Sequence, residues 1–306
     1  MRSETYQNKE KQSARAALWC FVAAVFLLSL PLYYILLKSR LPVEQSVLFI
    51  ILLMWVPAIV SLLLRLIRRE GFRSIGLGLG VGFRRPSTDR VHTKRARTLL
   101  KPILLAILFP LAVASLTYGG AWLSGLVRFQ SIHSNTASAS ILPALTGLLS
   151  NIFFAATAGT LIGIVMVAGE EIGWRGYMSE KLCRSGIKAP HILGGLIWSA
   201  WHSPLILSGQ YAAGPSPVLS LVCFTILALS LHHLWSWWRL ETGSLWPAII
   251  AHSAWNSIIQ HPFDGHTAGQ AAPLWLGDSG VLVVTAAALG VLLIGRRRPA
   301  RKQLVG

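Results

Sequence analysis

Charge is what this chain has least of. Asp, Glu, Lys and Arg make up 13% of its 306 residues, about half the roughly 25% usual in a soluble globular domain. Acidic side chains are the scarcest of these, eleven against 28 Lys and Arg. So little charge cannot coat a water-facing globule of this length, whereas 53% hydrophobic residues suits lipid. Cysteine is scarce too. Cys20, Cys183 and Cys223 lie far apart with no CxxC pair, which excludes a disulfide framework or zinc ribbon and leaves three small apolar side chains. Also missing is any HExxH, or any two His four residues apart, the rigid pair on which zinc peptidases are usually built. No cleavable leader is evident. The first apolar run is too long for a typical signal core and lacks a small-residue cleavage site after it, so it reads as a retained span.

What is present is a series of long apolar runs. A membrane helix needs about 20 mostly apolar residues, and Ala16–Leu37, Gln45–Leu64 and Pro102–Val127 satisfy this. The stretch Phe129–Gly169 opens on the polar QSIHSNTASAS, which places the helix start near Ile141. Ala189–Trp238 is too long for one span, and its Gly- and Pro-rich segment Ser208–Pro217 divides it in two. Thr242–Phe263 and Gly280–Gly295 complete the set. The expected fold is an all-α, polytopic membrane helix bundle of about eight transmembrane helices, one domain over residues 1–306.

The basic residues orient it. Twenty-five of the 28 Lys and Arg fall in alternate segments: the N-terminal tail, Arg65–Lys101, Arg175–Lys188, Arg239 and the C-terminal tail. Only Lys38, Arg40 and Arg128 fall in the others. The positive-inside rule then puts both termini in the cytoplasm, as in a multi-pass protein of a bacterial plasma membrane. A formal net charge of +17 would suggest nucleic acid in a soluble protein. Here the cations flank apolar spans, so they act as topology signals and contacts for anionic lipid headgroups, with no nucleic-acid partner expected. The basic loop 65–101 contains a glycine-rich stretch, Ile75–Phe83, but no phosphate-loop Lys-Ser/Thr follows it. It reads as a membrane-surface loop. Trp235, Trp237, Trp238 and Trp246 read as an aromatic belt at the headgroups.

Ionisable groups within or beside spans are costly, about 2.5–3.5 kcal/mol each or more near the bilayer centre. They fall into three groups: Gly169-Glu170-Glu171-Ile172-Gly173-Trp174-Arg175, Trp198-Ser199-Ala200-Trp201-His202, and His252-Ser253-Ala254-Trp255-Asn256. Glu171 and Arg175 are i, i+4 and can pair along one helix face. Glu170 is turned about 100° away, which leaves one carboxylate neutralised and the other available for chemistry. His252 and Asn256, again i, i+4, can offer an imidazole N–H and an amide N–H to one oxyanion. An interfacial salt-bridge cluster and ordinary interhelical hydrogen bonds are the structural alternatives. Three such groups at similar depth, near the cytoplasmic ends of their helices, argue against three separate accidents.

In order and spacing, EEIGWR, WSAWH and HSAWN closely resemble the EExxxR, aromatic-xxx-His and His-xxx-Asn motifs of the CPBP family. That family holds CAAX prenyl endopeptidases of the Ras-converting type and bacteriocin-processing enzymes, also called the ABI family. The resemblance covers about Ile141–Pro262, and position 198 holds Trp where Phe is often written. It implies a membrane protease of the glutamate type, without metal or cofactor, acting on a peptide or lipidated protein. Glu170 would be the general base on a water held with His202, His252 and Asn256 the oxyanion hole, and Glu171 with Arg175 the support. Two other classes remain open: a non-catalytic immunity or scaffold protein of the same fold, and a zinc-dependent membrane metallopeptidase. A small-solute transporter would show duplicated halves with broken midplane helices, and no such repeat is present.

Overall fold

The computed structural model describes residues 2–38, 43–78, 99–130 and 141–296. Most of the basic loop, including the glycine-rich stretch from 79 on, the polar segment 131–140 and the C-terminal tail from 297 lie outside the described residues. In chain order the elements are α1 (Arg2–Lys38), α2 (Val43–Ile67), a 3-10 turn (Phe72–Ile75), α3 (Leu100–Leu123), β1 (Arg128–Phe129), α4 (Ile141–Phe154), α5 (Thr160–Gly173), α6 (Ser179–Arg184), α7 (Pro190–Leu207), α8 (Pro217–Thr242), α9 (Trp246–Ile258), β2 (Thr267–Ala268), α10 (Ala272–Trp275) and α11 (Val281–Arg296). The fold is all-α. Among the described residues, strand structure is confined to an antiparallel pairing of β1 with β2, Arg128 opposite Ala268.

Among the described residues, five helical segments are long and apolar enough to cross a membrane: Tyr6–Lys38, Ser46–Ile67, Leu100–Leu123, Leu142–Arg184 and Pro217–Thr242. Val281–Gly295 is a shorter apolar helix. Their outer faces carry Leu27, Leu30, Leu116, Phe153, Leu161 and Ile162, each more than half exposed. Soluble proteins rarely expose apolar patches of that extent, and lipid is the solvent that accepts them. The chain is an integral membrane protein. The sequence break at Ser208–Pro217 is real: α7 ends at Leu207 and α8 begins at Pro217.

Helix α5 sits in a longer helical run whose regular winding is interrupted twice. Five-residue π-helical stretches occupy Ala155–Gly159 and Trp174–Met178, and a third, Ile259–Phe263, follows α9. Each widening shifts carbonyls out of the normal ladder, and hydroxyls take up the loss. Thr160 Oγ1 donates to Ala155 O (2.7 Å) and Ser179 Oγ to Trp174 O (3.0 Å). In the third stretch Pro262 has no N–H to donate. Such bulges often occur at functional sites, and the one at Trp174–Met178 begins within the Glu170–Arg175 motif.

The chain divides into two compact units. The first comprises Met1–Ile103, Met166–Trp198 and His232–Ile249. In it, buried Arg65 gathers three segments: Nη2 donates to Gly176 O (2.9 Å), and Nη1 to Ser74 Oγ (2.5 Å) and Gly71 O (3.2 Å). Arg239 Nη2 donates to Ser74 O (2.7 Å), and its guanidinium covers Gly76, whose φ of 84° suits glycine. Glu70 joins α2 to α6 through Lys181 Nζ (2.6 Å) and also receives Arg68 Nε (3.1 Å). Burial works to raise the Glu70 pKa, but the bonds and charges of Lys181 and Arg68 together hold it below the usual carboxylate range. A depressed folded-state pKa contributes stability at neutral pH that is lost as pH falls through the acid range. Glu70→Gln should therefore lower the melting temperature at pH 7, and the gap from the wild type should close on acidification below about pH 4. Paired thermal melts across that range check this.

The second unit comprises Leu104–Val165, Ser199–Leu231 and Ile250–Gly306. Its polar hub is buried Asp278, which accepts bonds from Trp255 Nε1 (2.8 Å), Gln260 Nε2 (2.7 Å) and Tyr211 Oη (3.1 Å). Tyr118 of α3 donates to Asp264 and accepts from the Gly277 N–H (2.9 Å). These bonds tie the loop after α7 and the turn before α11 to α3 and α9.

Candidate active site

Two features set the position of α5 in the first unit. A Cβ at Gly169 would lie 2.6 Å from Met54 O and 2.7 Å from Trp55 Cα, and one at Gly173 would lie 2.7 Å from the Pro57 carbonyl carbon. The Gly-xxx-Gly spacing thus lets α5 lie directly on α2, the close approach that small residues permit between membrane helices. At about 100° per residue, Glu170 and Glu171 leave the helix about 100° and about 200° round from Gly169. Glu170 is 2% exposed, Glu171 is fully buried and Arg175 is 1% exposed.

The two adjacent carboxylates have different partners. Arg175 Nη1 donates to Glu171 Oε1 at 2.7 Å, an i, i+4 pair with both side chains fully buried. The guanidinium lies between two indoles, its carbon 4.3 Å from the Trp198 ring centroid and 4.9 Å from that of Trp235. Arg175 Nε and Nη2 have no hydrogen-bond partner among the described residues; the aromatic faces provide their stabilisation instead. Glu170 Oε2 accepts a bond at 2.9 Å from Trp198 Nε1, a neutral donor. Tyr33 of α1, 5% exposed, lies within electrostatic reach of Glu170.

Sequence reasoning missed three of these groups. Tyr33 lies far away in the chain, and no local pattern marks it. Trp235 and Trp238 were expected at the headgroups, yet each is 1% exposed. Desolvating the Arg175 charge requires aromatic faces around it, and that requirement draws Trp235 inward. The third missed feature is the N–H of Trp198, which the motif reading treated only as aromatic bulk.

In the second unit, His202 stands three turns into α7. Its ring lies 5.5 Å from that of Tyr211 and 4.9 Å from that of Phe224. Tyr211 is in turn fixed by its bond to Asp278 and lines a cavity of about 470 Å³ with Gln260, Asp264 and Asp278. None of the six sequence-predicted site residues lines that cavity. On α9, His252 is 5% exposed and Asn256 is partly exposed. The next residue on each turn, Ser253 and Ser257, packs on Gly163 and Gly159. Ser253 Oγ donates to Thr160 O (2.6 Å). This serine–glycine seam fixes the rotation of α9, and with it the His252–Asn256 face. Within their units, the structure thus places Glu170 beside Glu171 and Arg175, and His252 beside Asn256 on one helix. Among the described residues, no group of three or more His, Cys, Asp or Glu side chains is placed to hold a metal ion.

These features define a class: a helical integral membrane protein with a carboxylate pair, one ionically paired and one not, enclosed within its fold. The family comparison narrows it. Residues 150–258 match the model of the type II CAAX prenyl endopeptidase family, Rce1-like. All six site residues lie inside the match. The CAAX prenyl protease 2 of Methanococcus maripaludis is 32% identical over 161 residues, 50% of this chain and 51% of that protein. The chain thus spans about half the length of the curated relative it matches.

Proposed function

We propose that this protein is an intramembrane endopeptidase in which Glu170 activates a water molecule to cleave a peptide bond of a membrane-associated substrate. The observation that carries this reading is the unequal environment of the two carboxylates. Glu171 is neutralised by Arg175 at 2.7 Å, whereas Glu170 meets a neutral indole donor. Its charge therefore remains available to take a proton. In the reaction Glu170 accepts a proton from water as the water oxygen attacks the scissile carbonyl carbon. His202 helps hold that water. The carbonyl oxygen becomes an oxyanion stabilised by donors from His252 and Asn256, and the proton on Glu170 passes to the departing amine nitrogen as the C–N bond breaks. Apolar surroundings strengthen the oxyanion donors. Glu171 and Arg175 hold α5 in register.

The family match and the relative's name support one substrate class for this protein: a prenylated protein or peptide ending in a Cys-aliphatic-aliphatic-X motif. The protein would act in a bacterial plasma membrane, with both termini cytoplasmic and anionic lipid headgroups against its basic segments. The test is purified protein in vesicles given a synthetic farnesylated peptide with that ending, with products read by mass spectrometry. Cleavage between the modified Cys and the next residue is the expected result. Intact peptide under every condition would favour a non-catalytic member of the fold. With an active preparation, Asn256→Ala should lower kcat by about 10²–10³-fold with little change in KM, the signature of a donor engaged in the transition state. A raised KM at unchanged kcat would place Asn256 in binding instead.

A further inference from the structure

Position 198 holds tryptophan, and its nitrogen is in use. We infer that Trp198 is a positioning residue for Glu170: its indole N–H fixes one carboxylate oxygen and with it the orientation of the base, a role that phenylalanine at this position could not fill. The inference rests on the reading of Glu170 as the general base.

Three observations in the first unit support it. Trp198 Nε1 donates to Glu170 Oε2 at 2.9 Å, and both residues are at most 3% exposed, so no solvent competes for the bond. The same indole lies over the Arg175 guanidinium at 4.3 Å, with Trp235 against both: the Trp198 and Trp235 rings are 5.6 Å apart. Trp198 is thereby held by its face and cannot swing away without uncovering a buried cation. Arg175 is itself fixed to Glu171. One side chain thus serves both carboxylates, its ring packed on the cation that pairs with Glu171 and its edge donating to Glu170. Glu170 and Glu171 are neighbours in a helix and share nearly the same depth, so the different donors at each, rather than burial, separate their roles.

Two variants separate the N–H from packing. Trp198→Phe keeps a ring over Arg175 and loses the N–H. Replacing Trp198 by benzothienylalanine keeps the full bicyclic shape and substitutes sulfur for the N–H. Both are measured as vesicle-reconstituted full chain on the farnesylated peptide, with kcat and KM determined separately, beside wild type and Glu170→Gln. A base whose carboxylate is no longer held in place slows the chemical step and leaves substrate binding alone. In both variants kcat should therefore fall about 10-fold, with KM within about twofold of wild type. Wild-type kcat in the benzothienylalanine variant, or a change confined to KM, overturns the inference. Equal turnover of wild type and Glu170→Gln removes the base and its donor together.

Discussion

Glu170→Gln, purified and reconstituted, should fold, insert and bind substrate, yet turn over about 10²–10⁴-fold more slowly, the usual worth of a general base. Glutamine retains the size of the side chain and an oxygen able to accept the Trp198 N–H, so the 2.9 Å bond has a replacement. What it cannot do is take a proton from water. Because the substitution removes a buried charge and keeps the packing, its melting temperature should equal or exceed that of the wild type, as catalytic groups are often held at a cost in stability. Unchanged turnover would take Glu170 out of the chemistry. His202→Ala, which leaves the carboxylate pair intact, should give a loss of similar size.

Arg175→Ala should produce the largest loss of stability of any single change at this site. The ion pair is fully buried on both sides, and truncating one partner strands the other, typically at a cost of about 3–5 kcal/mol. The cost here has a second source, since the cation also fills the space between Trp198 and Trp235 at 4.3 and 4.9 Å. Arg175→Lys should recover only part of the stability, because an ammonium lacks the planar surface that stacks on indole. The double replacement Glu171→Leu with Arg175→Leu should melt higher than Arg175→Ala, since no charge is then left buried alone. All three should be poorly active, because α5 carries Glu170 next to the broken pair. Normal melting and normal turnover in Arg175→Ala would make the pair incidental.

The legible part of the fold was what depends on one segment at a time. Apolar run length and the Gly/Pro content of Ser208–Pro217 located the helices, because membrane insertion and backbone freedom are local demands. The Glu171–Arg175 pair followed from i, i+4 geometry for the same reason. What stayed hidden depends on contacts between distant segments. Nothing in α8 alone announces that Trp235 turns inward to cover Arg175. Nothing near Gly159 and Gly163 announces that Ser257 and Ser253 are their partners. Asp278, a lone acid before the last helix, gave no sign of accepting bonds from Trp255, Gln260 and Tyr211. The aromatic at 198 was visible as a motif position, but its N–H acquired meaning only once Glu170 was seen opposite it.

The central claim is that a carboxylate, without a metal, activates the water. The most direct measurement is turnover of the farnesylated peptide by wild-type protein after exhaustive chelation, with metal content determined on the same sample and Glu170→Gln run in parallel. Full activity in the metal-free wild type, together with loss in Glu170→Gln, is the predicted result. Activity that disappears with the metal and returns on adding zinc would contradict it and identify a metallopeptidase.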